Sequence, residues 1–341
     1  MNLLMLRGEV PRDRNPQEIV FDRLEECDDM WTHLFYSMAN EEDKCELWYW
    51  GGDREHRFAH NFVERWVPSF TTYQPNFCPD VIFCRGGFPE YHEVLHRFPF
   101  AIKIYYGAGR RFLPQPGYFD YDIILQDSHE QVEICKEKFP KPLTTLFIKP
   151  AADNIFYPMS EVEKEYDVCF PANGAQHFKG HDFVYPTVPK DIKLLNLGNN
   201  PKKFKYPDNV TSYRVLRPKM AENIAKCKVG IMASRAEIDS CPRVIPEMLA
   251  CNVPVVALSR VKFWRSKYIV SPVDSSSPFS TGELATEENF WDKVRFVLEN
   301  LDMYEPRKYY ENHLSLKHAA KFIRDKVDEI NVQQLSKRSR K

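Results

Sequence analysis

Short apolar runs separated by longer amphipathic stretches recur from one end of this chain to the other. That alternation constrains the fold more than any other feature of the sequence. A short apolar run suits a strand buried on both faces, and an amphipathic stretch suits a helix covering such a face. Together they make the pattern of a βαβ protein with parallel sheets. In the first half, strands are predicted at Asn2–Leu6, Cys45–Tyr49, Val81–Cys84, Phe100–Tyr105, Ile123–Leu125 and Thr145–Ile148. A helix is predicted over Ser128–Lys138, where Ser128 caps and Gln131 follows three residues on, as in a capping box.

Lys149–Glu163 carries Pro150 and Pro158 among charged residues and reads as an inter-domain linker. The second half then repeats the alternation. Its strands are predicted at Tyr166–Phe170, Lys193–Leu197, Ser212–Val215, Val229–Met232, Val255–Ala257 and Tyr268–Val270. Its helices are predicted at Pro218–Lys226, Arg243–Cys251, Asn289–Asn300 and Leu316–Asn331, with Pro272–Thr281 as a loop. A chain of 341 residues with 43% hydrophobic content is long enough for two domains of ordinary size. The expected fold is α/β, with two Rossmann-like domains whose parallel sheets face a central cleft. The expected boundaries are residues 1–155 and 156–305, with a final helix in 306–335 packing back on the first domain. In such sheets ligands bind at the carboxyl ends of the strands, beside helix N-termini.

A formal net charge of −1 argues against a general nucleic-acid or membrane-surface binder, which carries a clear basic excess. The opening MNLLMLRGEV has too short an apolar run for a signal-peptide core, and no stretch approaches the roughly 20 apolar residues of a membrane span. None of the nine cysteines forms a CxxC pair, which removes support for a zinc ribbon or a thioredoxin-like motif. Scattered single cysteines on apolar segments suit a reducing compartment, so a cytoplasmic protein is expected.

The segment Val229–Ala257 carries the chemistry. It reads as strand, loop, helix, turn, strand. Pro246 falls in the first helical turn, where its missing N–H costs little, and Asn252 makes a left-handed cap before Pro254. A helix opening after a strand offers free N–H groups and partial positive charge to a diphosphate. Asp239 and Glu247 flank this helix start. Glu247 either accepts hydrogen bonds from a ribose diol or only complements the helix dipole. Asp239 either faces the ligand or only caps.

This stretch resembles the donor-binding signature of retaining GT-B glycosyltransferases of family four: an acidic residue, seven intervening residues, a glutamate, then a small-residue helix and a turn ending in Pro-Val-Val. Asp239, Glu247 and EMLACNVPVVA fall on those positions. The resemblance implies transfer of a hexose from a nucleoside diphosphate sugar to an acceptor hydroxyl on a glycan or other molecule, with retained configuration. Its donors are commonly GDP-mannose, favoured slightly here, or UDP-hexoses. It implies that Glu247 binds the donor ribose and that Asp239 lies near the transferred sugar or its phosphate. Backbone around Ser240, Cys241, Arg243 and Val244 would hold phosphate and sugar. Phe178-Lys-Gly180 is similar to the family's phosphate-site Lys-Gly, which puts Lys179 on the diphosphate with Asn173 nearby. The stretches Tyr121–Ser128 and Phe147–Pro158 are similar to the end of the family's N-terminal domain and its linker.

The sequence also departs from that pattern. The arginine expected before the lysine is absent from Pro171–Gln176, and Arg243 is the candidate to replace its charge. Pro242 stands where the family often has glycine. Tyr105-Tyr106-Gly107 stands where many members have a sugar-facing histidine, which makes Tyr106 an acceptor-side candidate. Gly8, Gly86 and Gly87 either line that acceptor side or form plain turns. The alternative at the level of function is a catalytically silent GT-B protein that binds nucleotide or glycan.

Two other motifs compete. His92-Glu93-Val94-Leu95-His96 fits the HExxH of zinc proteases. However, it lies between Pro89 and Pro99 and lacks the GxxH extension of metzincins, so an ordinary surface helix is expected. Asp120-Tyr121-Asp122 is a DxD, but it precedes an apolar run rather than ending one and reads as the start of a strand. No metal cofactor is predicted.

Overall fold

The structure is a computed structural model. It describes residues 1–8, 24, 27, 29–107, 120–172, 177–198, 205–235, 243–259, 270, 272–273 and 277–338. The chain divides into two compact units, Met1–Ile148 with Leu316–Lys341 and Lys149–Ser315.

The first unit is built on an eight-stranded sheet. Its strands are β1 (Leu3–Arg7), β2 (Cys45–Trp50), β3 (Arg54–Ala59), β4 (Phe62–Val67), β5 (Val81–Arg85), β6 (Ile102–Gly107), β7 (Ile123–Gln126) and β8 (Leu143–Leu146). The order is β3-β4-β2-β1-β5-β6-β7-β8, and β3 alone is antiparallel to its neighbour. β1 is buried at every position, as a central parallel strand must be. Helices α1 (Met30–Met38), α2 (Glu90–Arg97) and α3 (His129–Lys138) belong to this unit. Ser128 caps α3, accepting from the Gln131 N–H at 3.2 Å and donating to the Gln131 side chain at 3.2 Å, as its sequence spacing predicts. Three elements were not anticipated. β3 and β4 form a hairpin on the β2 edge, and β3 reads Arg-Glu-His-Arg, too polar to register as an apolar run. α1 buries almost its whole surface and shows no polar face.

The second unit holds a six-stranded, wholly parallel sheet in the order β11-β10-β9-β12-β13-β14. Its strands are β9 (Tyr166–Phe170), β10 (Leu194–Leu197), β11 (Val210–Tyr213), β12 (Cys227–Met232), β13 (Val255–Leu258) and β14 (Gly282–Ala285). Its helices are α4 (His181–Thr187), α5 (Met220–Ala225), α6 (Val244–Ala250), α7 (Phe290–Glu299) and α8 (Pro306–His313). The sixth strand is therefore Gly282–Ala285; the expected strand at Tyr268–Val270 lies outside the described residues except for Val270. α4 was missed because it spans only seven residues and carries Pro186, a residue that normally interrupts a helix interior. The core joins Val168, Phe170, Val184, Ile231, Val256, Phe290 and Val294 from strands and covering helices.

The last helix, α9 (Leu316–Arg338), belongs to the first unit. It buries Ile323, Val327 and Ile330, and Arg324 Nε donates to the Met38 carbonyl at 2.9 Å, where α1 ends. Among the described residues, no helix is long and apolar enough to cross a membrane.

Candidate functional site

In each sheet the chain first builds outward on one side, then returns to the centre and builds outward on the other. The strand order reverses between β9 and β12 in the second unit and between β1 and β5 in the first. Strand ends at such a point splay their following loops apart and leave a crevice at the carboxyl edge.

In the second unit, β9 and β12 run parallel, with Val229 opposite Val168 and Gly230 opposite Cys169. The turn after β9 holds His177–Lys179 in one 3₁₀ turn, then Gly180 with φ +89°. Gly180 is required there. A Cβ would stand 2.0 Å from the Ala233 carbonyl oxygen, just beyond β12. The Phe178 carbonyl accepts the Arg235 N–H at 2.7 Å, and Arg235 reaches Asp182 at 2.7 Å and Glu287 at 3.1 Å. The two turns are thus bound backbone to backbone. Lys179, whose ammonium lies 5.0 Å from the Phe178 ring centre, rides on this junction.

Glu247 follows on α6. Gly230 presents no side chain, so Met248 lies against β12 where a Cβ would meet its sulfur at 2.1 Å. The end of α6 is a Schellman motif. The Val253 N–H reaches the Met248 carbonyl at 2.9 Å, the Asn252 N–H reaches the Leu249 carbonyl at 3.0 Å, and Asn252 has φ 58°. The left-handed cap expected at Asn252 is present. With both ends fixed, Glu247 is only 2% exposed, and its Oε1 accepts from Arg217 Nη2 at 2.6 Å. Burial, with the Glu247 charge behind it, pushes the Cys251 thiol up to about 12, so it packs as a small neutral hydrophobe. Arg243 caps α6 at an exposed position and Val244 opens it. Asn173, Asp239, Ser240 and Cys241 lie outside the described residues.

In the first unit, the predicted glycines meet at the β1–β5 reversal. Gly86 has φ +87°, and its N–H donates to the Tyr106 carbonyl at 3.0 Å. The close approach Gly8 permits is taken by Phe88, whose ring atoms stand 2.2 Å from where a Cβ would be. Gly87 is exposed. Tyr106 is fully buried against Trp31, with ring centres 4.8 Å apart, and bonds Asp127 through its hydroxyl. Its side chain belongs to the core and not to an open ligand surface. Sequence reading missed the polar cluster beside these glycines. Arg7, 2% exposed at the end of β1, bonds Asp29 and the Tyr49 hydroxyl, the latter at 3.0 Å. Glu64 accepts from Thr32 at 2.6 Å and from Tyr49 at 3.3 Å. A pocket of about 210 Å³ lined by Lys44, Arg57 and Arg65 lies elsewhere, at the start of β2.

His92 and His96 share α2, where His92 Nδ1 pairs with Asp120 at 3.2 Å. Among the described residues, no three His, Cys, Asp or Glu side chains are grouped to hold a metal. Asp122 stands just before β7 and accepts the Lys103 N–H at 2.9 Å, which ties β7 to β6.

No protein family matches the sequence, and no curated protein matches it either. Solved structures do match. A glycosyltransferase from Rickettsia africae superposes with a TM-score of 0.68 at 12% identity, covering 96% of this chain and 98% of that one. Sucrose-phosphate synthase from Thermosynechococcus elongatus gives 0.66 at 11% identity, covering 98% and 100%. HepE from Anabaena, solved in complex with UDP-glucose, gives 0.58 at 11% identity, covering 96% and 100%. Sequence identities this low establish architecture only, and that architecture is the GT-B fold of two parallel-sheet α/β domains.

Proposed function

We propose that this chain is a glycosyltransferase that moves a hexose from a nucleoside diphosphate sugar to an acceptor hydroxyl, with retained configuration as the family-four resemblance implies. One observation carries the reading. The turn bearing Lys179 and the helix bearing Glu247 both follow strands that meet at the sheet's reversal point, β9 and β12. Lys179 supplies a point charge to the diphosphate, and Glu247 accepts from the ribose hydroxyls. The family-four resemblance adds Arg243 and the backbone around Ser240 and Cys241 to the phosphate site and would put Asp239 near the transferred sugar or its phosphate; of these only Arg243 lies among the described residues. The chemical work is stabilisation of the departing diphosphate by fixed charge. Gly86 and Gly87 mark the acceptor side. Asp122 is engaged by the β6 backbone, and we assign the diphosphate's counter-charge to side chains and not to a metal held by the DxD.

Calorimetric titration with GDP-mannose, UDP-glucose and their parent diphosphates, with and without EDTA, tests the reading. GDP-mannose is the donor favoured from sequence, and UDP-glucose is the ligand of HepE. Binding of one donor that survives EDTA, followed by turnover with an acceptor, is the expected result. Lys179→Ala should then weaken the diphosphate by about tenfold and leave the nucleoside unchanged. Equal losses for both would remove Lys179 from the phosphate site, and binding without turnover would leave a silent GT-B protein.

A further inference from the structure

Glu247 has a partner that the local sequence does not announce. Arg217 opens a single 3₁₀ turn, Arg217–Lys219, shortly after β11 and thirty residues before Glu247. Its Nη2 donates to Glu247 Oε1 at 2.6 Å. Its guanidinium carbon lies 5.3 Å from the ring centre of Phe156, which is fully buried. The side chains of the pair are 14% and 3% exposed. Two opposite charges therefore meet in a nearly dry setting over an aromatic floor.

Such a pair is a weak device for stability, because desolvation consumes most of the attraction. It is a strong device for orientation. The guanidinium is planar and always charged, and its place over the Phe156 ring, 5.3 Å from the centre, restricts where it can move. By holding Oε1 it fixes the torsion of the carboxylate and therefore the direction of Oε2. A ribose presents two vicinal hydroxyls, each a donor, and a carboxylate held in one orientation accepts both. A freely turning carboxylate would lose entropy on accepting them.

We propose that Arg217 is a positioning residue of the donor site. It holds Glu247 in the orientation that accepts a ribose diol, and so makes the site select ribonucleotide donors over deoxyribonucleotide ones. This rests on the donor-site reading above. It assigns a role to a residue on a different element, reached through the Arg217–Glu247 pair.

The test is calorimetry on the full chain with UDP, GDP, their 2′-deoxy counterparts and inorganic pyrophosphate. The proteins compared are the wild type, Arg217→Gln, Arg217→Lys and Glu247→Gln. In the wild type, removal of the 2′-hydroxyl should cost on the order of tenfold in affinity. In Arg217→Gln that penalty should shrink to about the level seen in Glu247→Gln, with pyrophosphate binding unchanged. Arg217→Lys keeps the charge without the plane and should fall between. It also serves if the glutamine variant does not fold. An undiminished deoxy penalty in the Arg217 variants overturns the positioning role. So does an equal loss for nucleotide, deoxynucleotide and pyrophosphate, which marks a merely structural contact. A wild type that binds UDP or GDP without any deoxy penalty overturns the ribose contact and leaves the donor site standing. A wild type that binds neither nucleotide overturns both.

Discussion

At the scale of single residues, the pairing of Glu247 with Arg217 changes what a truncation should do. By the family-four resemblance Glu247 binds the donor ribose, and a residue with that role alone could be removed without touching the fold. In the structure it is half of a buried pair, 2.6 Å from Arg217 Nη2. Removing one partner strands the other charge, which costs about 3 kcal/mol or more. Glu247→Ala should therefore lower the urea midpoint clearly, and Glu247→Gln, which keeps an acceptor, should lower it less. A Glu247→Ala protein as stable as wild type would show that the pair is open to water in solution. His181 gives a second residue-scale prediction. It is 1% exposed, with ring centres 4.9 Å from Phe170 and 5.4 Å from Tyr185. Burial holds its imidazole below the ordinary 6.5. The unfolded chain then binds a proton more readily than the folded one, so stability is present above 6.5 and lost as pH falls toward the folded value. Unfolding free energies at pH 7.5 and 5.0 should differ more in the wild type than in His181→Leu, which cannot titrate. Equal slopes in the two proteins would assign the acid sensitivity to other groups. Lys179 and Glu247 stand out in the sequence as candidates because each sits in a short local pattern, a Lys-Gly turn and a helix start. Arg217 does not, because its partner is thirty residues away and nothing in Leu216-Arg217-Pro218 says which way the guanidinium points. Tyr106 was misplaced for the same reason. A tyrosine at a strand end can face the crevice or the core, and only packing decides.

At the scale of elements, the junction of the β9 and β12 turns depends on one glycine. Gly180 has φ +89°, and any Cβ there meets the Ala233 backbone at 2.0 Å. Left-handed backbone alone costs a non-glycine residue about 1–2 kcal/mol, and here the obstruction is backbone, which cannot rotate away. Gly180→Ala should therefore lose about 2 kcal/mol or more and weaken nucleotide binding as Lys179 is displaced. Thermal unfolding with and without diphosphate measures both. A variant within about 0.5 kcal/mol of wild type would mean that the turn has room to move. The same scale shows where sequence reading succeeds. Five strands of the second sheet, all but β14, sit close to their predicted places because buried parallel strands are written as near-continuous apolar runs, as in Val255–Leu258. β3 and α1 went unseen because each breaks its element's usual pattern. One is a polar edge strand and the other a helix buried nearly all round.

At the scale of the whole molecule, the order of the chain does not follow the order of the units. The last helix, α9, returns to the first unit, which is discontinuous in sequence, whereas the second unit is one uninterrupted stretch from Lys149 to Ser315. That stretch owns its core, from Val168 and Phe170 in β9 to Val294 and Val297 in α7. It also contains every residue proposed for the donor: Lys179, Arg217, Asp239, Ser240, Cys241, Arg243 and Glu247 all fall between Lys149 and Ser315. A domain with its own core and a length in the usual range should fold alone. Residues 149–315 expressed alone should therefore unfold in one cooperative step and bind UDP or GDP within about threefold of the full chain, because a nucleotide that contacts one unit has no energy to lose when the other is removed. They should not transfer sugar, because Gly86 and Gly87, proposed for the acceptor side, belong to the other unit. A folded fragment that has lost nucleotide binding would show that the first unit supplies part of the donor site, and the division of labour between the two sheets would have to be redrawn.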